Sequence, residues 1–126
     1  MALLSPLSRA RGLGAAHGGA GHWKAQRLTA ISNAVLVLWF VFSAMALSGS
    51  SYEEVRAWLA SPLVAILMTL LVVSVFYHAP LGLQVVIEDY VHHPGLRVAG
   101  VIAVRLVAAG LAIACIVGIL MVALGP

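Results

Sequence analysis

Charge is what this chain has least of. Asp, Glu, Lys and Arg make up 9% of its 126 residues against 63% hydrophobic, where a soluble domain carries roughly 25% charged residues. Cysteine is nearly absent too: Cys115 stands alone, so no internal disulfide can form, and it reads as a small apolar residue inside a span. Acids number four, Glu53, Glu54, Glu88 and Asp89, against seven basic residues. The basic residues form no stripe interleaved with aromatics, which excludes a nucleic-acid-binding reading. No internal repeat suggests duplication.

What fills the space is apolar sequence. Residues 28–52, 57–87 and 106–126 contain no Asp, Glu, Lys or Arg. Each run exceeds the roughly 20 residues that cross a hydrocarbon core of about 30 Å. A soluble chain of this length could not hide so much apolar surface. The fold class is therefore an all-α membrane protein with three transmembrane helices, at about 29–47, 62–86 and 98–124. Three helices bury little against one another, so a partner within the membrane is expected.

The domain reading is a flexible basic N-terminal tail over 1–22, then a three-helix membrane domain over 23–126. The tail is Gly/Ala-rich and free of acids, and it also resembles a weak organelle-targeting leader. Arg9, Arg11, Lys24 and Arg27 precede the first span and Arg97 lies in the second loop, whereas the first loop offers only Arg56. The positive-inside rule then places the N-terminus and the second loop in the cytoplasm. Ser51 with Glu54 three residues on is a capping-box pattern opening a short helix from Tyr52 to Ala60. Tyr52, Val55, Trp58 and Leu59 share a face of it, which suits a helix lying at the membrane interface. Ser61-Pro62 reads as the N-cap and first residue of the second span.

His78 lies deep in the second charge-free run. An imidazole there needs a partner, and a metal is one candidate; a hydrogen bond to a neighbouring helix is the other. At 100° per residue His78 and Asp89 share a helix face, and Gly82, one turn from His78, removes side-chain bulk that a flat macrocycle would meet. Pro80 removes a backbone hydrogen bond to residue 76 and is expected to kink the helix near His78. Asp89 and Tyr90 sit at the mouth of the span, suited to moving protons; as bare sequence they read equally as an interfacial acid and a belt tyrosine. Arg105, inside the third span, either snorkels to the surface or pairs with a neighbour's acid. Gly110, Ala114 and Gly118 form a small-residue stripe that permits close helix packing.

The stretch from His78 to Val91, HAPLGLQVVIEDYV, resembles the H-A-x-x-G-(x)6-D-Y-V signature of succinate dehydrogenase hydrophobic membrane anchor subunits, the smaller anchors of respiratory complex II. Arg27-Leu28-Thr29-Ala30 is similar to that family's R-x-T-A motif at the start of the first helix. Ser51 to Val55 followed by Trp58, and the three-span layout, extend the likeness from about His22 onward. The resemblance implies that His78 is an axial ligand to haem b, whose second histidine comes from a second membrane anchor subunit. It implies that Tyr90 hydrogen-bonds a ubiquinone carbonyl, that Asp89 is the neighbouring acid of that site, and that Arg27 pairs with a haem propionate, with Gly82 beside the macrocycle. It further implies an iron–sulfur subunit, a flavoprotein subunit and the lipid bilayer as partners, and the bacterial inner membrane as location, the mitochondrial inner membrane being the alternative. Pro80 departs from the family, where some relatives carry a bulky aromatic. The chain alone would then be non-catalytic, contributing to succinate oxidation coupled to ubiquinone reduction. A small three-helix transporter or structural membrane adaptor without haem is the competing reading, in which His78 packs or relays protons.

Overall fold

The computed structural model describes residues 17–125. Four helices follow one another: α1 His17–Ala46, α2 Tyr52–Ala60, α3 Pro62–Tyr90 and α4 Pro94–Leu124. Among the described residues there is no strand. α1, α3 and α4 are long and apolar enough to cross a membrane. Their 30, 29 and 31 residues extend roughly 45 Å at 1.5 Å per residue, more than the hydrocarbon core requires.

α3 is the central element. α1 packs on one side of it and α4 on another, and among the described residues the α1 and α4 backbones do not approach one another. Burial within the chain is correspondingly thin: among the described residues Leu71, Pro80 and Leu81 of α3 and Ala108 and Ile119 of α4 are the buried apolar ones. Most large side chains face outward, among them Phe42, Ile66, Leu106 and Met121. Such an outer surface is tolerable only in lipid or against another apolar chain. Gly110 and Gly118 meet no neighbouring atom within 4 Å of an added Cβ. The small-residue stripe of α4 therefore lies on the outside of this chain rather than between its helices.

Hydroxyls in the spans mostly bond back to their own helix: Ser32 to the Leu28 carbonyl, Ser43 to Trp39 and Thr69 to Ala65. That bond satisfies a polar group where water is absent. Ser74 is different, its hydroxyl pointing across to the Thr29 carbonyl of α1 at 3.5 Å.

α2 closes one end of the bundle. Ser51 caps it with both halves of the expected box, and Ser61 terminates it. Trp58 stacks on Trp39 of α1, centroids 6.0 Å apart, and an Arg56 Nη2–H reaches the Gly125 carbonyl beyond α4 at 3.3 Å. α2 also packs on α3. Gly49, with φ +85°, makes the turn before it, a conformation that costs glycine little.

Three boundaries differ from the sequence reading. α1 reaches back to His17, into the stretch assigned to the tail; the tail through residue 16, with Arg9 and Arg11, lies outside the described residues. α3 runs to Tyr90 rather than 86, and α4 begins at Pro94 rather than 98. Hydropathy marks where lipid ends, whereas the backbone keeps its hydrogen bonds into the interface until a cap intervenes. Ser61 makes no side-chain cap bond to α3, whose start rests on Pro62 at its first turn. At α4 the cap is His93, whose Nδ1 accepts from the Leu96 amide, with Pro94 in the first turn.

Pro80 does not end its helix. α3 is helical through it without interruption, and the proline is buried. With Ala108 it lines two apolar grooves between α3 and α4. The ring serves as packing surface at the point where α4 offers only a methyl group.

Candidate functional site

His78 is the polar centre of the α1–α3 contact. It stands twelve residues before the end of α3, about 18 Å along the axis. Its Nδ1 lies 3.0 Å from Thr29 Oγ1 of α1. Thr29 Oγ1 is also 2.7 Å from the Ala25 carbonyl and 3.2 Å from that of Gln26. Ser74, one turn earlier on α3, points its hydroxyl at the Thr29 backbone carbonyl. Side chain and backbone of one threonine are thus both tied to α3. His78 is half-buried and this contact engages one ring nitrogen.

Gly82 borders open space: a Cβ added there would meet nothing within 4 Å. It is one helical turn from His78, so the two share a side of α3. Among the described residues no group of three His, Cys, Asp or Glu side chains converges to hold a metal ion. A metal at His78 would need its remaining ligands from elsewhere, as a macrocycle supplies, and the open space at Gly82 leaves room for one. The donor set and the space both suit haem.

Asp89 and Tyr90 close α3 and are exposed, Tyr90 by 78%. Asp89 falls about 20° from His78 around the helix, at its mouth. Neither is drawn to His78; they form a second locus at the end of the same helix. Arg27 lies two residues from Thr29, close to the level of His78 but about 160° round α1 from the face that meets α3. Its guanidinium sits 5.0 Å over the Trp23 ring, a cation–π contact.

Two features escaped the sequence reading. Thr29 had no role beyond its motif, and nothing in the sequence alone pairs it with His78. Arg105 donates from Nη2 to Gln84 Oε1 at 2.6 Å, and Gln84 Nε2 donates to Glu88 Oε1 at 2.7 Å. Arg105 therefore meets a neutral amide of its own chain, through which it is linked to an acid at the mouth of α3. One amide in the second span and one cation in the third are each costly alone in lipid, which is reason for them to meet. On α1, His22 Nε2 and Asn33 Oδ1 are buried without a partner among the described residues, one on either side of Thr29 along the helix.

Comparison with known proteins places this geometry in a family. A family profile described as succinate dehydrogenase/fumarate reductase transmembrane subunit matches residues 1–124. The succinate dehydrogenase hydrophobic membrane anchor subunit of Rickettsia bellii is 38% identical over 98 residues, covering 78% of each chain. The protein of the same name from Rickettsia conorii is 33% identical over 99 residues, 78% of this chain and 79% of that one. That of Paracoccus denitrificans is 31% identical over 102 residues, 81% of this chain and 78% of that one. The chain belongs to the succinate dehydrogenase/fumarate reductase transmembrane subunit family, among its hydrophobic membrane anchor subunits.

Proposed function

We propose that the chain anchors a succinate:ubiquinone oxidoreductase in the bacterial inner membrane, supplies one axial histidine, His78, to haem b, and contributes Tyr90 and Asp89 to the ubiquinone-reduction site. The carrying observation is His78 itself: an imidazole within a span, bonded to the chain through one nitrogen, beside open space at Gly82. A second membrane anchor subunit provides the other histidine, and an iron–sulfur subunit and a flavoprotein subunit deliver electrons from succinate. Haem bound at His78 supplies one-electron redox chemistry inside the membrane.

The chain's own residues do the rest. Reducing a quinone takes two electrons and two protons, and the protons need hydroxyl, carboxyl or water donors at the pocket. Tyr90, exposed at the end of α3, donates its hydroxyl to a quinone carbonyl and polarises it. Asp89 positions Tyr90 or passes protons from the cytoplasm. Arg27, whose guanidinium rests on the Trp23 ring, would be the residue to pair with a haem propionate.

The test is the reduced-minus-oxidised optical spectrum of the purified assembly and of its His78→Leu variant. A low-spin b-type signature lost in the variant is the expected result. Full haem content in an assembled His78→Leu complex would remove the ligand role. An intact wild-type assembly without haem would favour the transporter or adaptor reading.

A further inference from the structure

We infer that Thr29 is a positioning residue for the haem ligand: it accepts the Nδ1 proton of His78, fixing the tautomer in which Nε2 carries the free lone pair. This rests on the haem reading above.

The number of protons on the two side chains sets the direction of their bond. A threonine hydroxyl has one proton to give and two lone pairs to receive with. Thr29 Oγ1 is 2.7 Å from the Ala25 carbonyl oxygen, the ordinary length of an O–H···O bond. Without a proton between them, two lone-pair oxygens at that separation would repel. The hydroxyl proton is therefore committed to α1, shared at longer range with the Gln26 carbonyl at 3.2 Å. The contact to His78 must then run the other way, and its 3.0 Å is an ordinary N–H···O length. A neutral imidazole carries one N–H. With that proton at Nδ1, Nε2 is left as the acceptor, the form a metal takes.

Thr29 is also held where this requires it. The i−4 bond to Ala25 fixes its side chain on α1, and Ser74 reaches its backbone carbonyl from α3. The imidazole is thus oriented from a neighbouring helix that is itself docked one turn away. Histidines that bind metals almost always donate their second ring N–H to such an acceptor, which fixes the ring and raises its basicity, and loss of the acceptor typically weakens the site about 10- to 100-fold.

The experiment compares Thr29→Val and Thr29→Ser with wild type in the whole purified complex. Valine keeps the volume and branching and removes the acceptor; serine restores the hydroxyl. Haem midpoint potential, the low-spin electron paramagnetic resonance spectrum and the rate of haem transfer to an acceptor protein are read on each. Thr29→Val should shift the potential and the spectrum and release haem about 10- to 100-fold faster, while Thr29→Ser should track wild type. Thr29→Val with the potential, spectrum and release rate of wild type overturns the inference and leaves the haem assignment standing. Assembly with Thr29→Ser but not with Thr29→Val assigns the hydroxyl to helix packing, and also overturns it. A wild-type complex without haem instead sinks the reading beneath it.

Discussion

Tyr90 and His78 share a helix but sit in opposite circumstances. His78 is half-buried and held by a neighbouring helix; Tyr90 is open, with no hydrogen bond to its phenol among the described residues. A group so placed is available to a molecule arriving from outside. Removing its hydroxyl should therefore change chemistry without changing the fold. Tyr90→Phe keeps the ring and loses one hydrogen bond, a net effect of about 1 kcal/mol. Expressed in the transition state, that slows ubiquinone reduction about 5- to 10-fold, with haem content and succinate oxidation to an artificial acceptor unchanged. Stopped-flow measurement of quinone reduction decides it: wild-type kinetics in Tyr90→Phe would remove Tyr90 from the site. His78, Gly82, Asp89 and Tyr90 could be singled out in the sequence because each is chemically out of place in or beside an apolar run. Thr29 could not, since a lone threonine in a span usually bonds its own helix, as Thr69 does. Only the antiparallel packing of α1 on α3 shows that its oxygen has a second partner.

The helices differ in what holds them. α2 was readable to the residue, Tyr52–Ala60, because its signals are local: a capping box at Ser51 and Glu54 and a proline after Ser61. The ends of α1 and α3 were not, because a span boundary is a hydropathy boundary and a helix end is a hydrogen-bonding one. Nor was the packing of Pro80, whose cost to the helix is local but whose ring is covered by α4, distant in sequence. The box of α2 carries a pH dependence of its own. The Ser51 backbone N–H donates to Glu54 Oε2 at 2.7 Å and the Ser51 hydroxyl lies 3.0 Å from the same oxygen. These bonds, the backbone one first, hold the Glu54 carboxyl below its usual range. A carboxylate whose pKa is lower in the folded state adds stability that is fully present above the unfolded value and is lost as pH falls through the folded one. Amide exchange in α2 should therefore be flat from neutral pH down to the ordinary glutamate range and show growing loss of protection below it, after correction for intrinsic rates. Glu54→Gln should flatten that response. A wild-type profile matching the variant's would show that the carboxylate does not secure this helix. Ser51→Ala removes the reciprocal half of the box and should cost about 1 kcal/mol of α2 stability at neutral pH.

At the scale of the molecule, the arrangement is a central helix flanked by two whose backbones stay apart among the described residues, with most of its apolar surface turned outward. Such a layer depends on what surrounds it, and its orientation follows from charge rather than from packing. Lys24 and Arg27 near the start of α1 and Arg97 in the first turn of α4 mark one end of the bundle. At the other, Arg56 stands beside Glu53 and Glu54 and reaches the Gly125 carbonyl. The positive-inside rule predicts the basic end in the cytoplasm, and the proposed quinone site at Asp89 and Tyr90 requires that orientation. Two single substitutions test this in intact cells with a membrane-impermeant maleimide. Ser48→Cys, in the loop before α2, should be labelled directly. His92→Cys, between α3 and α4, should be labelled only after the membrane is opened. Cys115, inside a span, gives little background, because a charged, water-borne reagent does not enter the hydrocarbon layer. The reverse labelling pattern would put the end of α3 on the outer face, away from any cytoplasmic proton source, and the quinone site could not then work through Asp89 as proposed.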